Sequence, residues 1–373
     1  MEQNIITPGT SGAKSSGRNL NVTVAKGIGI MLMVIGHSGA PTFLYTLIYE
    51  FHMPLFFILA GYCFKQSHLS HPWQFTKRRM KGLWWPFVKW NLLFMLVHNL
   101  LYSAHIVTDY YTWRDIWHRL GWMAVMTHSE TMLGGFWFLC GLLVASLIGW
   151  GVLWVCRGKA HLVGWATLAI ALVVSVCNIW VVSPNTGYKP TNFMLYVVFF
   201  LCGYLISAMT SKQQSALTGR ASWGLILSLS GTLVVIAWFF PFPYGVTTFF
   251  TWQLPIYVIG GVSGTLAVLA MASRLREGRF KRLLVFCGDS SMAILIWHFL
   301  CFKGVTAVLL HIHGMPVEEM TAFPVHSGFS DRFWVVYAIV GISLPLMLQA
   351  GYLIFSNAVR PYIGRKLPFA MRK

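Results

Sequence analysis

Ten stretches of about twenty mostly apolar residues follow one another along this chain, near 22–40, 43–64, 83–102, 135–156, 162–182, 191–209, 223–241, 248–272, 283–302 and 334–355. A helix needs about 20 such residues to cross the hydrocarbon core of a bilayer, and a chain in lipid must satisfy its backbone polar groups internally. Little chain is left over for anything else. Charged residues make up 10% of the sequence and apolar ones 56%, whereas soluble domains carry about 25% charged residues. With a mean hydropathy of +0.63, this excludes a disordered chain, a fibre and an ordinary cytosolic enzyme. The expected fold is all-α: a polytopic integral membrane protein with about ten transmembrane helices.

Lys and Arg total 28 against 10 Asp and Glu, a net charge of +18. In a soluble protein that excess would suggest nucleic acid as a partner. Here the basic residues sit in short segments between apolar runs, so no nucleic acid is expected and the first partner of the charge is the anionic inner leaflet. Counted with both termini inside, the inner segments hold 21 Lys and Arg, among them Lys65 to Lys81 and Arg274 to Arg282. The outer ones hold five: Arg114, Arg119, Lys189, Lys303 and Arg332. The positive-inside rule then predicts both termini cytoplasmic. The expected organisation is a flexible N-terminal tail (1–21), one membrane domain (22–356) and a basic C-terminal tail (357–373), in the cytoplasmic (inner) membrane of a bacterium. The largest external segments are 103–134 and 303–333, with 303–315 apolar enough to re-enter the bilayer. The seven cysteines form no CxxC pair and lie in or beside apolar runs, which argues against disulfides and zinc. The polar, Gly- and Ser-rich first twenty residues lack the apolar core of a cleavable signal peptide.

Ionisable side chains at membrane depth are costly and therefore candidates for function. The predicted spans carry Lys26, His37, Glu50, His52, Lys89, His98, Asp289 and His298. A buried structural hydrogen bond is the plainer reading for any one of them, and it is kept for Lys89 and His98. His37 ends the first span, Glu50 and His52 begin the second, and His298 falls in the outer half of the ninth. All four are expected at similar depth, in one polar pocket. Lys26 precedes His37 by eleven residues, close to three helical turns, so the two share a face about 16 Å apart along the axis. Gly27, Gly29, Gly36 and Gly39 on the same helix are read as close packing or ligand approach, and the Gly260/Gly264 pair in the eighth span as packing alone.

Lys26-Gly-Ile-Gly-Ile-Met-Leu-Met-Val-Ile-Gly-His37, followed by Phe51-His-Met-Pro-Leu-Phe-Phe-Ile-Leu-Ala-Gly61, resembles the membrane acyltransferase-3 family, whose members O-acetylate sugars of O-antigen, peptidoglycan and Nod factors. That family has a basic residue, ten residues and a His on its first helix, and His-x-Pro-x-Phe-Phe-x-x-x-Gly on its second. Arg78-Arg79-Met80-Lys81 with Trp85-Pro86-Phe87, Trp137-Phe138-Leu139, and Ser290-Ser291 through His298 resemble further family segments. The chain departs from the pattern at Thr23, where members commonly carry an acidic residue, and at Lys26, where many carry Arg. No secreted-lipase-type domain is expected after the last helix.

The resemblance implies an O-acyltransferase that takes an acetyl group from cytoplasmic acetyl-CoA (acyl-CoA) and places it on a hydroxyl of a cell-surface or lipid-linked carbohydrate. Lys26, Arg78 and Lys81 are then expected to hold the CoA moiety, and His37 to act as general base. Glu50 is assigned from its depth alone to orient His37. His52, His298 and Trp137 are expected to shape the pocket or bind the acceptor. The His311-x-His313 pair lacks a convincing third ligand, and no metal is expected. Two readings of other classes compete. A secondary transporter or flippase for a glycan or small acid would also carry polar sites at depth, and a non-catalytic partner of glycan-assembly proteins would tolerate loss of His37.

Overall fold

The computed structural model describes residues 19–180, 190–209, 222–240 and 253–364. Among these there is no β-strand. Helix α1 spans Leu20–His37, and Asn19 caps it by accepting from the backbone N–H groups of Asn21 (3.1 Å) and Val22 (3.4 Å). The second predicted stretch is two helices, α2 (Thr42–Tyr49) and α3 (His52–Tyr62), broken at Glu50–Phe51. Pro54 explains the break. It has no N–H to give, and its ring would strike the carbonyl of Glu50 four residues back in a continuous helix.

Next come α4 (Pro72–Arg79), a π-helical turn (Met80–Trp84), α5 (Trp85–Ser103) and α6 (Trp113–Ala124). A 3₁₀ segment (Thr131–Phe136) leads into α7 (Trp137–Val155), followed by α8 (Ala160–Trp180), α9 (Pro190–Ser207), α10 (Trp223–Phe239) and α11 (Gln253–Arg274). The last three are α12 (Arg279–Asp289), α13 (Ser291–His313) and α14 (Ser327–Gly364). Among the described residues six segments are long and apolar enough to cross a membrane: α1, the α2–α3 pair, Thr131–Val155, α11, α13 and α14 over Ser327–Ala358. Shorter apolar helices occupy Ala160–Val176, Phe193–Ser207 and Trp223–Phe239. Parts of the fifth, seventh and eighth predicted stretches fall outside the described residues, as do the first eighteen residues and the end of the basic tail.

Two predicted boundaries are corrected. The ninth stretch is broken at Ser290, so α12 and α13 are separate helices, and α13 continues through His313 because Val305, Leu309 and Leu310 keep its buried face apolar. Lys303, expected in an external loop, is therefore a helical residue, 1% exposed. Gly314 ends α13 in the left-handed region (φ 62°), with its N–H donating to the carbonyls of His311 and Leu310.

Apolar surface gains little by leaving lipid, so helix packing depends on close contact. Helix α1 packs against α3, α11, α12, α13 and α14. Its crossing with α12 is tight enough that a Cβ on Gly27 would lie 2.1 Å from Leu284 O, and one on Gly288 2.1 Å from Thr23 O. The α3–α9 crossing uses the same device, with Gly61 against Phe200 and Gly203 against Ile58. On α11, Gly260, Gly261 and Gly264 leave room for Glu50, Pro54 and Phe51, so the small-residue face of α11 cradles the break between α2 and α3.

His98 behaves as the structural residue expected. Its Nδ1 lies 2.8 Å from Glu130 Oε2 and its Nε2 2.8 Å from the Asp109 carbonyl. Asn91 Oδ1 accepts from the Glu130 N–H at 2.8 Å. Together these tie the segment 104–130 down onto α5. On that segment His128 accepts from Arg119 Nη1 at 2.7 Å, and burial, reinforced by Arg119, holds the imidazole below its ordinary pKa of 6.5.

Candidate active site

A cavity of about 590 Å³ lies beside α1 and is lined on that helix by Lys26, Ile30, Met33 and His37. Spacings of four, three and four residues put these side chains on one stripe. The cation and the imidazole therefore open into the same space. Its size falls within the range of about 300–1,000 Å³ typical of small-molecule sites. The opposite wall comes from Tyr49, His52 and Phe56, from Gly82 and Leu83 of the π turn, from the start of α7 including Trp137, and from Ser291 and Leu295 of α13. The walls are mostly apolar.

The polar groups near His37 form an ordered chain. His298, fully buried, directs Nδ1 at the carbonyls of Ile294 (3.0 Å) and Leu295 (3.1 Å). Carbonyls only accept, so this nitrogen carries the hydrogen, and in the neutral ring Nε2 keeps a lone pair. His37 Nδ1 stands 3.2 Å from that Nε2 and must be the donor. The unprotonated nitrogen of neutral His37 is thereby Nε2. The two rings are nearly parallel in plane, 5.4 Å between centroids and 14° apart. His52 repeats the logic: its Nδ1–H donates to the Ile48 carbonyl at 2.9 Å, leaving Nε2 as the acceptor. The Tyr49 ring stands between them, 6.5 Å from His37 and 4.7 Å from His52.

The other expected site residues fall in three places. Trp137 lines the cavity and lies 6.1 Å from the Tyr196 ring. Glu50 is 1% exposed but does not line the cavity; its Oε2 faces α11, where a Cβ on Gly260 would come within 3.2 Å. The group on His37 Nδ1 is His298, in the place the sequence reading gave to Glu50. Arg78 and Lys81 are exposed and do not line the cavity, although Gly82 and Leu83 immediately after them do. The neighbouring Arg79 is half-buried, its guanidinium 5.1 Å from the Phe75 ring centroid. Sequence reading passed over Tyr49 and Arg79. Helical spacing could not have found Tyr49, because the break at Glu50–Phe51 separates it from His52.

Among the described residues no three His, Cys, Asp or Glu side chains are grouped to hold a metal ion. His313, from the His-x-His pair, points its Nδ1 at the Leu309 carbonyl (2.8 Å).

The model of a known acyltransferase domain matches residues 19–353, nearly the whole membrane region and both halves of the site. The chain belongs to the acyltransferase-3 family. Acyltransferase-3 membership agrees with a relative among characterised proteins, nodulation protein NolL of Mesorhizobium japonicum, 24% identical over 245 residues. The match covers 62% of this chain and 59% of that protein's length. No solved structure matches the chain. It is a helical membrane protein that carries an acyltransferase domain over residues 19–353.

Proposed function

We propose that this protein moves an acetyl or other acyl group from cytoplasmic acyl-CoA to a hydroxyl of a cell-surface or lipid-linked carbohydrate. It would act across a bacterial inner membrane with about ten spans and both termini in the cytoplasm. The observation that carries this reading is the single cavity bordered by Lys26 at one end of α1 and by His37 at the other. Eleven residues of helix separate them by about 16 Å, a span an extended pantetheine arm can cover. Lys26 and the nearby Arg79, with exposed Arg78 and Lys81 beside the entrance, supply cations for the CoA phosphates. The thioester then lies among the apolar walls, near His37.

His37 Nε2 takes the proton from the acceptor hydroxyl as its oxygen bonds to the acyl carbon. The C–S bond breaks, and the same proton passes to the departing CoA sulfur. His298 fixes the tautomer and shares the positive charge of the transient imidazolium through the Nδ1–H bond. It thus takes the orienting part that a carboxylate plays in a serine-protease triad. Placing a general base in this way gives about 10²–10⁴-fold. His52 Nε2, Tyr49 and Trp137 face the same space and contact the acceptor. The nodulation function of NolL fits a carbohydrate acceptor.

Radiolabelled acetyl-CoA supplied to membranes containing the protein is expected to label carbohydrate covalently, and His37→Ala and Lys26→Ala to abolish labelling while the protein remains folded. A transporter would incorporate no label whatever stands at position 37. A non-catalytic partner would lose nothing with His37→Ala.

A further inference from the structure

Beyond His298, α13 carries Phe299 and Lys303 one turn apart on one face. Phe299 packs its ring 3.9 Å from that of His298 and 5.1 Å from that of His37. Phe323, from the segment joining α13 to α14, packs on the far side of Phe299, 4.7 Å between centroids. A Cβ on the cavity-lining Gly134 would lie 3.4 Å from both phenyl rings. Phe299 is 3% exposed and Phe323 41%, so the stack runs from the histidine pair outward to the surface.

Lys303 holds this stack in place. Its buried Nζ donates to the carbonyls of Met320 and Ala322, each at 2.6 Å. These carbonyls belong to the end of the 3₁₀ turn Val317–Thr321, where backbone oxygens are left without helical partners and favour a cation. The same ammonium lies 5.9 Å from the Phe323 ring centroid. A second tie joins the ends of the segment: His326 Nδ1 accepts from the Gly328 N–H at 3.2 Å, so its Nε2–H donates to Glu319 Oε2 at 2.7 Å. A buried lysine whose partners are main-chain carbonyls of one short turn costs more desolvation than fastening a surface loop requires.

We propose that Lys303 is a positioning residue that fastens segment 316–326 as the outer roof of the active site, with Phe323 and Phe299 excluding bulk water from the His37–His298 pair. The role deepens the acyltransferase reading and rests on it. A base poised beside a thioester serves water as readily as a sugar. In that side reaction a water oxygen bonds to the acyl carbon, the C–S bond breaks, one water proton ends on the CoA thiol, and the free acid is released. A closed roof makes transfer the faster outcome.

The test measures CoA release and acyl transfer together, in membranes supplied with acyl-CoA and carbohydrate acceptor, for the wild type, Lys303→Met, Lys303→Arg and Phe323→Ala. Lys303→Met and Phe323→Ala are expected to raise CoA release per acyl group transferred by about tenfold or more, with KM for acyl-CoA unchanged. Lys303→Arg, which keeps the cation, is expected to restore coupling in part. Phe323→Ala leaves the lysine's two carbonyl contacts in place, so it decides the matter should Lys303→Met fail to fold. A wild type that transfers while the folded variants keep wild-type coupling overturns the roof alone. A wild type that neither transfers nor releases CoA overturns the reading of the site on which the roof depends.

Discussion

At the scale of single residues the chemistry turns on which nitrogen of His37 carries a hydrogen. The two carbonyls that take the Nδ1–H of His298 decide it, and the decision reaches the cavity through one 3.2 Å contact. His298→Ala removes the partner of His37 Nδ1 and frees the ring to take the wrong tautomer. Its kcat is expected to fall by about 10–100-fold, with KM for acyl-CoA little changed, in the same membrane assay. Glu50→Gln is expected to cost less in kcat than His298→Ala, because Glu50 faces α11 and not the cavity. Equal losses would return the orienting role to the carboxylate. The identities of Lys26, His37, His52 and Trp137 as cavity residues were legible from helical spacing and motif. Depth put His298 in the same pocket as His37, but the direct hydrogen bond between them was not legible, because 261 residues separate them and spacing within one helix says nothing about which side chain lies opposite.

At the scale of helices, the motif residue Pro54 does more than mark a family. It breaks the second predicted span, turns the chain at Glu50–Phe51, and lets His52 begin a new helix with its ring over the cavity. The apolar pattern could not show this, since residues on both sides of the break are equally apolar. The same blindness joined α12 to the first half of α13 and put Lys303 in a loop; the buried lysine is satisfied by carbonyls that no local pattern foretells. Glycine was more informative, with the small residues of α1 and α11 marking close helix approaches, although the tightest crossing, Gly61 and Gly203 between α3 and α9, was not singled out. Gly61→Ala would set a Cβ 1.8 Å from the Phe200 carbonyl oxygen. It is expected to destabilise the protein by about 1–3 kcal/mol, seen as a lower unfolding temperature in detergent. Gly151→Ala, with open space around it, is the control and is expected to leave that temperature unchanged.

For the whole molecule, the exposed apolar side chains of α5 and α14, among them Leu96, Leu100, Met347 and Ile354, form the surface expected to meet lipid. Charge asymmetry predicts that the Lys26 end faces the cytoplasm and the His37 end the exterior. A membrane-impermeant thiol reagent applied to intact cells is therefore expected to label a cysteine introduced at Arg114 and to miss one introduced at Lys77. The reverse pattern would invert the protein and place acyl-CoA at the wrong mouth of the cavity. This expectation of orientation rests on the basic loops of the sequence. The roof over the histidine pair was not legible there, because it depends on one lysine meeting two carbonyls and two phenyl rings brought together only by the fold.

The most direct test of the central claim uses sealed vesicles with ¹³C-acetyl-CoA on the cytoplasmic side only and carbohydrate acceptor on the other. The cavity that joins Lys26 to His37 predicts label on the acceptor across the membrane with the wild type and none with His37→Ala. Label appearing only when donor and acceptor share one side, or transfer undiminished by His37→Ala, would contradict it.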